Sequence, residues 1–136
     1  MFTFTDISWI GIIAATVASF GLGGLWFTAL FGRAYSAALG RMHDPNARPA
    51  PLMIAGPAVW SLVTAFAMAV LMASLRIETT SEALGLGFFV GLGFLAATTI
   101  NTGINPNIPN PMLYGAVSGG YHLAAGLVIA LVLSFF

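Results

Sequence analysis

The 136-residue sequence contains no cysteine and no lysine, and only four arginines, four acidic residues and two histidines offset its hydrophobic bulk. Without cysteine there is no disulfide, no thiolate metal ligand and no iron–sulfur cluster. Without lysine, and with net charge zero, there is no basic patch for nucleic acid, so no nucleic-acid partner is expected. Charged residues make up 6% of the chain, whereas a soluble domain carries about a quarter. A water-facing surface cannot be assembled from so few.

Hydrophobic residues supply 59% of the chain, and the mean hydropathy is +0.97. The formal charges sit at Asp6, Arg33, Arg41, Asp44, Arg48, Arg76, Glu78 and Glu82, leaving apolar stretches at 7–32, 49–75 and 83–136. Roughly 20 apolar residues cross about 30 Å of hydrocarbon, so the last stretch holds two spans. The run Asn105-Pro106-Asn107-Ile108-Pro109-Asn110-Pro111 divides it, because each proline removes a donor and disfavours helix. The expected fold is all-α: a polytopic membrane protein of four transmembrane helices in a bundle, at about 8–31, 53–75, 83–104 and 113–135, forming a single domain over 1–136. An amino terminus with Asp6 and no basic residue does not resemble a cleaved signal peptide, so the first span is expected in the mature protein.

The loop 32–52 holds Arg33, Arg41 and Arg48 against Arg76 alone elsewhere, which predicts that loop in the cytoplasm and both termini outward. Tyr35, Ala38, Leu39 and Met42 recur at helical spacing opposite Arg33 and Ser36, predicting a short interfacial helix after the first span. Trp9, Trp26, Tyr35 and Tyr114 fall near span ends, where amphipathic rings favour the headgroup level. Pro57 either kinks the second span or marks its start.

Small residues recur at helical spacing. The third span presents Gly87, Gly91, Thr98, Asn101 and Asn105 as one stripe; the fourth presents Gly115, Ser118, Gly119, His122 and Gly126; the first has Ser19 and Gly23. Such faces let helix backbones approach closely in lipid, within a chain or between chains. Gly23, Gly87, Gly91, Gly115, Gly119 and Gly126 are the expected packing positions. His122 is the one titratable side chain inside a span other than tyrosine, roughly 12 Å below Tyr114 at about 1.5 Å per residue. A polar group at that depth defaults to a functional hypothesis, with Ser61 or Thr98 as hydrogen-bond partner and Asn101 nearer the membrane surface. The plainer alternative is a neutral imidazole satisfied by a hydroxyl or carbonyl. His43 reads as a surface residue beside Asp44, and Met68 and Met72 as packing. No metal-ligand pattern, nucleophile with its base, paired carboxylates or phosphate loop is present, so neither an enzyme nor a bound cofactor is expected. None of the four acidic residues falls in a predicted span, which disfavours proton-coupled transport.

Two stretches, Gly24-Leu25-Trp26-Phe27-Thr28-Ala29-Leu30-Phe31-Gly32-Arg33-Ala34-Tyr35 and Gly120-Tyr121-His122-Leu123, resemble the bacterial four-helix membrane protein family catalogued as domain of unknown function 1761. The resemblance covers the whole length. Tyr35 stands where many relatives have Trp, and the Asn- and Pro-rich turn before the fourth span departs from the basic turn associated with the family. The resemblance implies the four-helix layout and a place in the bacterial inner membrane, and it implies no activity. Three functions are expected in turn: an accessory or structural subunit of a homo-oligomer or larger complex; a passive channel or small-solute carrier lined by Thr98, Asn101 and His122; and a quinone or other lipophilic cofactor site near His122.

Overall fold

The structure is a computed structural model and describes residues 2–136. Four helices are long and apolar enough to cross a membrane: α1 (Trp9–Leu30), α3 (Pro51–Leu75), α4 (Thr80–Gly103) and α5 (Pro111–Leu133), with the short α2 (Gly32–Ala38) after α1. The chain is a multi-pass, all-helical membrane protein.

Each boundary has a local cause. Ser8 caps α1, its hydroxyl accepting from the Gly11 N–H. Pro51 and Pro111 occupy first-turn positions, where a missing N–H costs nothing. Thr79 and Glu82 form a capping box at the start of α4, three residues earlier than the hydropathy boundary. Glu82 therefore stands in the first helical turn with its carboxylate committed to the cap. Thr79→Ala removes that cap and is expected to lower stability by about 1 kcal/mol in a detergent melt.

Pro57 lies inside α3, which begins at Pro51, so the proline does not start the helix. The interfacial helix is shorter than the spacing implies: Gly40, at φ +65°, ends the segment, and Met42 lies exposed beyond it. The turn between α4 and α5 folds back onto α2. The Asn110 backbone N–H donates to the Ala38 carbonyl and its side-chain amide to the Ala37 carbonyl.

The helices are not evenly packed. α5 is the centre, lying against α1 on one side and α4 on the other, while α3 packs mainly on α1. At the end of the bundle that carries the chain termini, Ile12, Ala15, Ala65, Met68, Ala69, Met72, Ala83, Ile129, Ala130 and Leu133 form a closed core. Only the second half of α3 contributes to that core, and its first half runs to the other end, where the arginine-bearing loop lies. That first half stands off, exposing Leu52, Met53, Val59, Trp60 and Val63.

Close approach of α4 to α5 rests on glycine. A Cβ at Gly87 would lie 2.7 Å from the Gly126 carbonyl oxygen, and one at Gly126 would lie 2.8 Å from the Gly91 Cα. Gly91 itself rests on the Leu123 backbone, Gly115 and Gly119 receive the Ile100 side chain, and Gly23 receives the Tyr121 ring. All six small-residue positions named from the sequence thus meet neighbours inside one chain.

The stripe on α4 does not run as its sequence spacing implies. Gly91–Ala96 takes a wider π turn, which inserts one residue into the helical count and rotates the remainder of the helix by about 100°. The buried positions become Gly87, Gly91, Ala96 and Gly103, and Thr98 and Asn101 are turned to the exposed surface. Similar π turns interrupt α1 at Trp26–Leu30 and α5 at Gly115–Gly119.

Candidate functional site: a cleft between α3 and the α1–α5 pair

The divergence of α3 leaves a cleft of about 830 Å³. Tyr35, Pro49, Met53 and Tyr114 stand at the arginine-bearing end, and Ser19, Thr64, Ala125 and Ile129 mark the opposite limit, where the closed core begins. This volume lies within the range of about 300–1,000 Å³ typical of small-molecule sites.

One wall is aromatic, and it is built from the two stretches that carry the family resemblance. Phe27 packs edge-on against Tyr121 at 5.1 Å between ring centroids and against Tyr35 at 4.9 Å. Behind this wall, outside the cleft lining, Trp26 lies against Phe31 at 4.6 Å and Tyr121 at 6.3 Å. Tyr35 approaches Tyr114, and His122 lies beside Tyr121. Trp26, Tyr35 and Tyr114, which the sequence places near span ends, make contacts between helices. A position near a span end does not specify which way the ring turns.

Two hydrogen bonds fix this wall. The Trp26 indole N–H donates to the Val117 carbonyl at 3.0 Å, within the π turn of α5, and the Tyr121 hydroxyl donates to the Ser19 carbonyl at 3.2 Å. A π turn displaces carbonyls from the regular ladder, and inside a membrane helix a partner from a neighbouring helix satisfies them. Trp26→Phe keeps the ring and deletes the donor. It is expected to cost about 1 kcal/mol, read as a lowered melting temperature in detergent.

Sequence spacing groups Ser61, Thr98, Asn101 and His122 as one polar set. The structure brings Ser61 and His122 to the cleft, with Ser61 against the Tyr121 hydroxyl, while Thr98 and Asn101 lie outside it. The π turn in α4 is the physical reason for this correction, and within one chain Thr98 and Asn101 do not share the cleft with His122. The His122 ring, in the middle of α5, makes no hydrogen bond to another side chain or carbonyl among the described residues. His43 is exposed, with its Nδ1 3.4 Å from the Ser36 hydroxyl.

In the sequence Ser118 stands out only as a small residue. It is 4% exposed, lines the cleft, and its hydroxyl has no hydrogen-bond partner. Other helical hydroxyls, on Thr16, Ser19, Thr28, Thr64, Ser74 and Thr102, return to carbonyls three or four residues earlier. Ser118 falls inside the π turn Gly115–Gly119, where that local register is broken. The sequence carries no signal of this, because the turn is set by packing.

No arginine, aspartate or glutamate lines the cleft among the described residues. At its mouth, burial lifts the Tyr35 phenol above the ordinary tyrosine range, with Tyr114 adding to the effect and Arg41 opposing it. That ring therefore stays a neutral hydrogen-bond donor at physiological pH.

A four-helix membrane fold with an aromatic, uncharged cleft at one end is what the residues define. The chain belongs to the family described as protein of unknown function, DUF1761, which matches residues 10–134. No curated protein and no solved structure matches it.

Proposed function

We propose that this protein is a non-enzymatic small-molecule-binding membrane protein whose cleft takes up a lipid-soluble molecule with one uncharged polar group. The observation that carries the reading is an 830 Å³ space walled by aromatic rings, with Ser118, whose buried hydroxyl has no partner among the described residues, in its lining. A buried hydroxyl without a partner costs about 1–3 kcal/mol, and a bound polar group offsets that cost. The absence of charged lining favours neutral ligands, because a charge brought to this depth would have no counterion.

By the distribution of arginines, the loop 32–52 faces the cytoplasm, both termini face outward, and the cleft opens in the cytoplasmic leaflet of a bacterial inner membrane. An accessory role in an oligomer or larger complex draws its motive from the small-residue faces. The six glycines of those faces are occupied by contacts between helices of one chain, so they supply no argument for a partner.

The test is a thermal-shift panel of single-chain amphiphiles on protein in lipid nanodiscs. Ligands of the native state stabilise it by RT ln(1 + [L]/Kd), about 2.7 kcal/mol at a hundredfold excess over Kd. A neutral amphiphile is expected to raise the melting temperature, and a cleft-filling substitution is expected to abolish the rise. A uniform lack of response across the panel contradicts the proposal.

A further inference from the structure

Resting on the ligand-binding reading of the cleft, we infer that its ligand is a neutral ring bearing a carbonyl oxygen, of quinone type, held at Ser118 and His122. Three observations converge on this class.

First, Ser118 and His122 are one helical turn apart on α5 and both line the cleft. The Ser118 hydroxyl has no hydrogen-bond partner among the described residues, so its proton is uncommitted. A neutral imidazole offers one N–H and one acceptor nitrogen, so it can donate beside it. Two donors spaced along one helix face suit a carbonyl oxygen with two lone pairs. Of the neighbouring hydroxyls, Thr28 and Thr64 are already bonded to the Gly24 and Trp60 carbonyls and Tyr121 to the Ser19 carbonyl, while Ser61 stands across the cleft on α3, against the Tyr121 hydroxyl.

Second, the walls are suited to a flat ring. Phe20 and Phe27 of α1 and Tyr121 of α5 line one side, and Trp60 of α3 lines the other. Rings of this kind stack or meet edge-to-face with a planar guest, an interaction that an acyl chain does not make. Trp60 is 69% exposed, and Gly24 and Gly56 leave open space along the cleft, with no heavy atom within 4 Å of a Cβ built on either.

Third, the lining excludes charged head groups. With no arginine lining the cleft among the described residues, a phosphate or carboxylate inside it has no partner, Arg41 acting only on Tyr35 at the mouth; with no aspartate or glutamate, neither has an ammonium. A carbonyl ring meets these limits, and an apolar tail can leave between α3 and α5, where contact between the helices is sparse.

The experiment titrates four probes that share a ten-carbon tail, 2-decyl-1,4-benzoquinone, decylbenzene, methyl decanoate and decyltrimethylammonium, into wild type, Ser118→Ala and His122→Phe in nanodiscs. Quenching of tryptophan fluorescence reports the quinone, and displacement of bound quinone reports the other three. The quinone is expected to bind wild type most tightly, and Ser118→Ala to weaken it about fivefold to tenfold, the loss of one hydrogen bond. His122→Phe is expected to do the same, and neither substitution to alter decylbenzene. Ser118→Ala removes an unpaired hydroxyl, so it is expected to fold as well as wild type. Tightest binding of decylbenzene, methyl decanoate or the ammonium overturns the carbonyl-ring assignment while leaving the cleft a binding site. So does quinone binding that both substitutions leave unchanged. If none of the probes binds, the assignment and the ligand-binding reading fall together.

Discussion

Gly126→Ala is expected to be among the most damaging single-methyl additions to this protein, lowering its stability by about 1–3 kcal/mol and tolerated only with α4 displaced from α5. The added Cβ would lie 2.8 Å from both the Gly87 carbonyl oxygen and the Gly91 Cα, and 3.2 Å from the Gly91 nitrogen. All three are backbone atoms, so no flexible side chain can swing aside. Lipid offers little compensation, since helix association in a membrane depends on close packing rather than on exclusion of water. Gly85→Ala is the matched control, because a Cβ there meets no heavy atom within 4 Å. It is expected to melt with wild type or slightly above it, alanine being the better helix former. Thermal unfolding of the three proteins in one detergent separates a contact from a mere composition effect. Equal melting of Gly126→Ala and Gly85→Ala would refute the glycine-mediated approach of α4 and α5.

Gly24→Leu is expected to have the opposite profile, with folding intact and ligand binding lost. Gly24 lines the cleft, and no heavy atom stands within 4 Å of its Cβ position, so a leucine extends into the space where a guest would lie. Binding is expected to weaken about a hundredfold, roughly 2.8 kcal/mol. The melting temperature without ligand is expected to hold or rise, since the new side chain occupies space that was empty. Intact binding in a folded Gly24→Leu variant would place the ligand elsewhere.

The spans themselves are legible in the sequence because membrane-scale hydrophobicity is a bulk property, insensitive to the placement of any one residue. Their ends shift by one to three residues where local chemistry decides, as with the Thr79–Glu82 cap and the prolines at Pro51 and Pro111. The glycine positions are also legible, since close approach leaves a spacing of four, as at Gly87 and Gly91 and at Gly115 and Gly119. The site is only half legible. His122 stands out by type and depth, and Ser61 by depth, but spacing alone puts Thr98 and Asn101 on the wrong face. A constant 3.6-residue period carries no provision for the extra residue at Gly91–Ala96. Ser118 is hidden for a related reason: a serine looks satisfied by its own helix until a π turn breaks that register. The inward turn of Trp26 is likewise set by the partner it finds, the Val117 carbonyl.

The two stretches that carry the family resemblance are remote in sequence and adjacent in space. Phe27 from one meets Tyr121 from the other on the cleft wall, His122 continues that wall, and Trp26 packs against Tyr121 from outside the lining. The cleft is therefore the place where the chain's most distinctive residues converge.

Native mass spectrometry of wild type and Gly24→Leu, released from membranes under gentle conditions, reads the occupancy of that cleft without an intermediary. A single neutral, lipid-soluble molecule is expected on wild type and absent from Gly24→Leu, with added 2-decyl-1,4-benzoquinone bound one to one by wild type only. Bare wild-type protein that also ignores the added quinone, or equal retention by both proteins, would contradict a binding role for the cleft.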